Sequence, residues 1–299
     1  MSTETIYQNL LSQLDRLYRH NRQGSYRTRS RYYEAMKRFC RFLAENFHLE
    51  KLANMAPKHM DAYVRFLQES GKSASTIKTD LSAIRFFHDL MTDPKYELPQ
   101  NAELLLERRS FGKVDRTWSD AEFQRMCELA EQDGRMDYVT ILHLARFAGL
   151  RIHECFRIDT ATAENAIKKH AITIKGKGGL VRTVPLTDDL CDRLKVASTA
   201  VPRGGKLFVI KDEQTHEAIH ALQAYIWLNR QSVQDANSDR PMTFHGLRHT
   251  YAAQQYHCMT QQGFSPEQAE KAVSEFLGHH RRDVTRIYLA SLKEADNHE

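Results

Sequence analysis

Two stretches decide how this chain reads: T-F-H-G-L-R-H-T-Y-A-A-Q, Thr243 to Gln254, and F-L-G-H-H-R-R-D-V-T-R-I-Y-L, Phe276 to Leu289. Each sets a short polar cluster between apolar helical positions. His245 and Arg248 are three residues apart, so on a helix or its first turn they face the same way. Gly278 offers a helix stop that leaves His279 at the helix end with its imidazole projecting. Nine residues after His279, Tyr288 sits in T-R-I-Y-L, with Ile287 and Leu289 as expected packing anchors. Arginine grips phosphate oxygens through a planar fork, and histidine moves protons near neutral pH. A cationic cluster beside a tyrosine therefore suits chemistry on a phosphodiester.

Taken singly, each piece has a plainer reading. A helical His-x-x-Arg pair is most often a solvated face. The chain has twelve tyrosines, and any one of them is more often packing than nucleophile. His245 and His249 have the spacing of half a metal site, but no cysteine pair or carboxylate cluster completes it, so no metal is expected. The decision needs the rest of the chain.

The length of 299 residues suggests two domains, each able to bury its own core. No apolar run approaches the roughly 18 residues of a membrane span, and M-S-T-E-T-I-Y-Q lacks the apolar centre of a signal peptide. Five scattered cysteines, unpaired in spacing, fit a reducing cytoplasm. The net charge of +5 is unevenly placed. Residues 1–112 carry 18 basic and 13 acidic side chains, whereas residues 113–299 carry 25 of each. Between Arg16 and Arg41 lie nine basic residues and a single acidic one, Glu34, with Tyr26, Tyr32 and Tyr33 interleaved. The apolar stripe there is too thin for membrane insertion, which leaves nucleic acid as the expected partner of the basic stretch.

Apolar spacing places helices at about 4–20, 28–46, 57–70 and 74–91. Their expected buried faces run through Leu10 and Leu14, Phe39 and Leu43, Tyr63 and Leu67, and Leu81 and Ile84. They form a small helical domain whose basic edge lies on the first two helices. T-D-P-K-Y-E-L-P-Q from Thr92 starts the exit, and the boundary falls between 108 and 117. T-W-S-D-A-E-F-Q reads as a capped helix start, with helices to about 132 and from 135 to 148. Gly149 then interrupts A-R-F-A-G-L-R-I-H-E-C-F-R-I and lets Arg151 begin the next helix, its guanidinium turned inward. From Ala161 the period reads as alternating, with strands at 171–175 and 180–185 around a glycine-rich turn that carries Lys177. A lysine on a hairpin tip is usually solvent decoration, but it can also deliver a proton into a groove. Further helices are expected at about 188–198 and 217–231.

With Arg151, Lys177, His245, Arg248, His279 and Tyr288 in this order, the sequence resembles the tyrosine recombinases, also called the phage integrase family. A-G-L-R-I-H-E matches the first arginine box, and K-G-K-G before V-R-T-V-P-L matches the lysine hairpin. H-G-L-R-H matches the second arginine box, and L-G-H-H followed by Tyr288 matches the His-to-Tyr box. The motifs cover about 118–289, and residues 1–112 match by layout. The resemblance implies a mainly α fold with a small β-hairpin (α+β). A four-helix core-DNA-binding domain, 1–112, would precede a catalytic domain, 113–299.

Two departures from the compact Xer-type pattern stand out. The stretch from Arg248 to Leu277 is longer, which reads as an extended helix–loop–helix joint that leaves both motifs intact. The tail from Leu289 to Glu299 is short, so any docking of it on a neighbouring protomer would be small.

The implied activity is site-specific recombination through a 3′-phosphotyrosyl intermediate, for integration, excision or resolution, with no cofactor, metal or ATP. Tyr288 would be the nucleophile, and Arg151 and Arg248 would clamp the non-bridging oxygens. His279 would bond the same phosphate, Lys177 would protonate the leaving oxygen, and His245 would assist proton transfer. His249 is read as structural. The implied partners are double-stranded DNA with paired core sites, a homotetramer on synapsed DNA and accessory DNA-bending proteins, with no membrane. Two other readings differ in kind: a type IB topoisomerase, which the small N-terminal domain disfavours, and a catalytically silent DNA-binding relative, which the complete residue set disfavours.

Overall fold

In the computed structural model, which describes residues 1–21, 23, 26–107, 114–176, 179–278, 285 and 287–289, Ser2 opens the first helix. Its hydroxyl accepts from the Thr5 amide at the start of α1 (Thr3–His20), satisfying one of the donors that a helix N-terminus leaves over. The chain divides into two units, Met1–Ser110 and Phe111–Glu299.

The first unit continues with α2 (Tyr26–Phe47), α3 (Pro57–Glu69) and α4 (Ala74–Asp89), with a short 3-10 turn at Leu52–Asn54. Pro57 starts α3 at a position whose missing N–H costs nothing, and the Ser73 hydroxyl caps α4. Leu10, Leu14, Phe39, Leu43, Tyr63 and Ile84 fill one core, as their spacing predicts. Tyr32 and Tyr33 of the basic stretch are half-buried and pack against other helices. Tyr33 donates to the Asp15 carboxylate at 2.7 Å and packs on Tyr18, and Tyr32 meets Phe86 edge-on. Arg41 lies 3.9 Å over the Tyr7 ring, and Arg16, Arg19, Arg31, Arg38 and Arg41 are exposed.

The second unit contains α5 (Asp120–Gln132), α6 (Met136–Ala148), α7 (Ile152–Cys155), α8 (Thr160–Lys169), α9 (Asp188–Thr199), α10 (Thr215–Val233), α11 (Phe244–Gln261) and α12 (Pro266–Phe276). Strands β1 (Ala171–Lys175) and β2 (Val181–Pro185) pair antiparallel, from Ala171 opposite Pro185 to Lys175 opposite Val181. The fold is mostly helical with one small sheet, as expected. Helix α8 corrects the expectation of an alternating period from Ala161. Its inward face is Thr160, Ala163 and Ala166, too small to register as an apolar stripe. The Asp159 carboxylate caps it through the Thr162 amide at 2.7 Å, and His170, at φ 48°, turns the chain into β1.

α11 packs against α6, and α12 packs against both α11 and β2. Trp118 fixes the first turn of α11 by donating from its indole to the Thr243 carbonyl and from its amide to the Thr250 hydroxyl, both at 2.9 Å. Gly246 permits that approach, because a Cβ there would stand 2.3 Å from the Arg116 carbonyl oxygen. A separate small core joins Tyr251, Ala252, Val273, Leu277, Tyr288 and Leu289. Tyr288 itself is buried in it, whereas Ile287, an expected anchor, is only half-buried. The lengthened joint between the two signature stretches resolves into the end of α11, a turn at 262–265 and α12, which Ser265 and Gln268 cap reciprocally.

Candidate active site

The site is built where α6 ends. Gly149 takes φ 59°, which closes α6 and turns its carbonyl toward α11. The Tyr251 ring lies so close that a Cβ on Gly149 would stand 2.4 Å from it. This close packing brings α11 and the α6–α7 turn together, and the two arginine boxes meet across it.

Arg248 is fully buried. Its Nη1 donates to the Gly149 carbonyl and its Nη2 to the Leu277 carbonyl, while Nε has no partner among the described residues. Burial, and then the positive charge of Arg151, lowers its pKa to about 10, so it remains a cation at neutral pH. Arg151 is the N-cap of α7 and is partly open to solvent. Its Nη2 reaches the same Leu277 carbonyl at 3.4 Å, and its Nη1 donates to Glu154 at 3.0 Å. Two guanidinium groups thus converge on one main-chain oxygen.

Like charges so close need compensation, and Glu154 supplies it. Its carboxylate accepts from the Arg151 amide at 2.8 Å and from both Nη atoms of Arg182, at 2.9 and 2.6 Å. Burial alone would raise the Glu154 pKa. The bonds and charge of Arg182, the bond from the Arg151 amide and the charge of Arg248 together outweigh it and hold the pKa at about 2, so the carboxylate is ionised throughout the physiological range. Arg182 belongs to β2, and its Cδ lies 3.1 Å from where a Cβ on Gly278 would stand. The hairpin, the first arginine box and the end of α12 therefore share one buried ion pair.

Tyr288 completes the group. Its ring stacks on His249 with centroids 4.5 Å apart and an interplanar angle of 28°. His245 meets the ring edge-on at 5.3 Å, and the Arg248 guanidinium lies 5.7 Å from the ring centre. His245 is exposed as a residue, yet it lines a recess with Arg151, Thr243 and Phe244. That desolvation, followed by the charges of Arg248 and Arg151, lowers its pKa. His249 is buried, and burial with the neighbouring His245 pushes its pKa down to about 3. Both rings are neutral at pH 7.

Of the six residues singled out in the sequence, Arg151, His245, Arg248 and Tyr288 come together here. Lys177 and His279 lie outside the described residues. Their neighbours Gly176 and Gly278 both face Arg182. Sequence reasoning missed Glu154, Arg182 and the two carbonyls that orient the guanidinium groups. One signal was present: in V-R-T-V-P the alternation puts Arg182 on the same inward face as Val184, where an arginine needs a buried partner. Main-chain carbonyls leave no mark in a sequence. Among the described residues no helix is long and apolar enough to cross a membrane, and no three His, Cys, Asp or Glu side chains gather as a metal site would require.

Comparison with known proteins identifies the family. Residues 117–295 match the phage integrase family, and residues 11–94 match the phage integrase N-terminal SAM-like domain. A tyrosine recombinase XerD from Halalkalibacterium halodurans is 22% identical over 302 residues, covering 95% of this chain and 93% of the relative. In fold, the chain resembles the XerH site-specific recombinase bound to a palindromic difH substrate in a post-cleavage complex. The TM-score there is 0.64 at 18% identity, over 96% of this chain and 83% of that one. It also resembles a lambda integrase tetramer bound to a Holliday junction, with a TM-score of 0.61 at 17% identity, over 93% and 76% of the two chains. With a family match spanning more than half its length, the chain belongs to the phage integrase family of tyrosine recombinases, enzymes that cut and rejoin DNA strands at specific sites.

Proposed function

We propose that Tyr288 attacks the scissile phosphorus of a DNA strand, forming a 3′-phosphotyrosyl bond and releasing a 5′-hydroxyl. Arg151 and Arg248 hold the two non-bridging oxygens, a preorganised contact worth about 3 kcal/mol each when charge develops on the phosphorane. The carbonyls of Gly149 and Leu277 aim the Arg248 fork before DNA arrives, so little reorganisation is needed at the moment of reaction. The unpartnered Nε–H of this buried guanidinium suits an anion, which would satisfy it. His245, neutral in the DNA-free protein, accepts the tyrosine proton as phosphate charge raises its basicity. Lys177 gives a proton to the leaving 5′ oxygen, and His279 donates to the bound phosphate. The ester energy is kept in the phosphotyrosine, so attack by another strand's 5′-hydroxyl rejoins DNA without a nucleotide cofactor.

The observation that carries this reading is the meeting of Tyr288, His245 and the two guanidinium groups at one place, from segments of the chain far apart in sequence. The exposed arginine edge of α1 and α2 supplies a sequence-independent grip on the duplex, with residues 1–112 as the core-binding domain. Two such sites, held by four protomers, make the synaptic unit in the cytoplasm. A lambda integrase relative in fold forms a tetramer on a Holliday junction, which supports that stoichiometry.

A nicked suicide substrate, whose short leaving strand diffuses away, tests the nucleophile. The unmodified enzyme accumulates a covalent adduct, and Tyr288→Phe binds the same DNA but forms none. Adduct of normal yield from Tyr288→Phe would overturn the assignment. Exchange of strands between two marked sites separates recombination from simple relaxation of supercoils.

A further inference from the structure

We propose that His249 is a positioning residue for the nucleophile: its imidazole is the plate that fixes the Tyr288 ring relative to the arginine pair. The inference deepens the reading of Tyr288 above and rests on it.

A tyrosine ring has two soft torsions, and a nucleophile misplaced by about 1 Å can lose on the order of a hundredfold in rate. Something must hold the ring. His249 lies nearly parallel to it at 4.5 Å, while His245 meets it at 60° and is exposed to solvent. A parallel, buried face restrains rotation of the ring about its own axis in a way an exposed edge does not. The same imidazole lies near enough to the Tyr288 main chain for that polar contact to oppose the fall in its pKa. Ring and main chain of the nucleophile thus both lie against one side chain.

The location of that side chain matters as much as the contact. His249 is adjacent to Arg248 on α11, and Arg248 is pinned to the carbonyls of Gly149 and Leu277. One rigid turn of helix therefore carries both the phosphate clamp and the plate against the nucleophile. A site placed on a helix holds its geometry more tightly than one on a loop. His249 is uncharged at neutral pH, because burial and the adjacent His245 depress its pKa. It therefore serves as a flat, neutral surface with one N–H, and not as a phosphate ligand.

The test uses the full-length protein with three substitutions, chosen to separate the ring from the polar contact. His249→Phe keeps a flat ring, His249→Gln keeps a donor without a ring, and His249→Ala keeps neither. Adduct formation on the nicked suicide substrate is followed at saturating DNA, and DNA affinity is measured separately. The expected result is near-normal rate for His249→Phe and a loss of about tenfold or more for His249→Gln and His249→Ala, with affinity within about twofold in all three. Rescue by phenylalanine at unchanged affinity is a pattern that general damage to the fold does not produce. A normal rate in His249→Ala would overturn the proposal, as would equal losses in all three variants or retention by His249→Gln alone. Loss of affinity along with rate in every variant would assign His249 to the fold and overturn it too. If Tyr288→Phe itself formed adduct, the underlying reading would fail instead, and the two failures are distinguishable.

Discussion

Arg182 and Glu154 form a buried two-bond ion pair, Nη1 to Oε1 at 2.9 Å and Nη2 to Oε2 at 2.6 Å, directly beside Arg151. The pair joins β2 to α7, and the Arg182 side chain also packs against Gly278 at the end of α12. Removing one partner of a buried pair leaves the other charge desolvated, at a cost of about 3–5 kcal/mol. Arg182→Met and Glu154→Gln are each expected to destabilise the protein by about that much in urea unfolding. The double substitution should cost less than the sum of the two, because no unpaired charge remains. Additive costs would show that the pair is not the unit of stability.

His249 makes stability depend on pH in a definite direction. Its pKa falls from 6.5 to about 3 in the folded protein, so between those values the unfolded chain binds a proton that the native chain does not. Its contribution is fully present above pH 6.5 and is lost as the pH falls toward 3. Near pH 5 the slope from this one group is about 1.4 kcal/mol per pH unit. His249→Phe removes the group, so its unfolding free energy should fall less steeply with acid than that of the unmodified protein. Parallel slopes from pH-dependent urea melts would refute the burial argument.

Gly149 and Gly134 offer a matched comparison. Both take positive φ, 59° and 71°, but a Cβ on Gly149 meets the Tyr251 ring whereas a Cβ on Gly134 meets nothing. Gly134→Ala should cost only the backbone strain, about 1–2 kcal/mol. Gly149→Ala should cost that plus the displacement of α11, and should slow adduct formation as well because Arg248 bonds the Gly149 carbonyl. Equal stability losses with normal cleavage in Gly149→Ala would mean that the helix yields without disturbing the site.

The proposed role of Lys177, as the acid for the leaving 5′ oxygen, has its own signature. Lys177→Ala should cleave ordinary DNA on the order of a hundredfold more slowly. On a 5′-bridging phosphorothiolate, whose sulfur leaves without a proton, most of that loss should vanish. Arg151→Ala should gain no such relief, since its proposed contacts are to the non-bridging oxygens. Equal defects of Lys177→Ala on both substrates would remove it from the acid role and bring forward Lys175, which is exposed on β1.

The sequence alone determined the four helices of the first unit, the hairpin and the order of the polar motifs. Each of these is written in local periodicity, caps and turn glycines, which act over a few residues. It did not show α8, because alanine and threonine bury a face without an apolar signal. Nor could it show how Arg248 is aimed, since its partners are main-chain carbonyls 99 and 29 residues away. Such atoms exist at every position and acquire meaning only when packing brings them together. The same holds for His249, which the sequence offered as a structural helix residue and the tertiary structure laid against Tyr288. Chemistry-bearing side chains are legible one by one; their orientation is a property of the close approach of α6, α11 and α12, which only the folded chain decides.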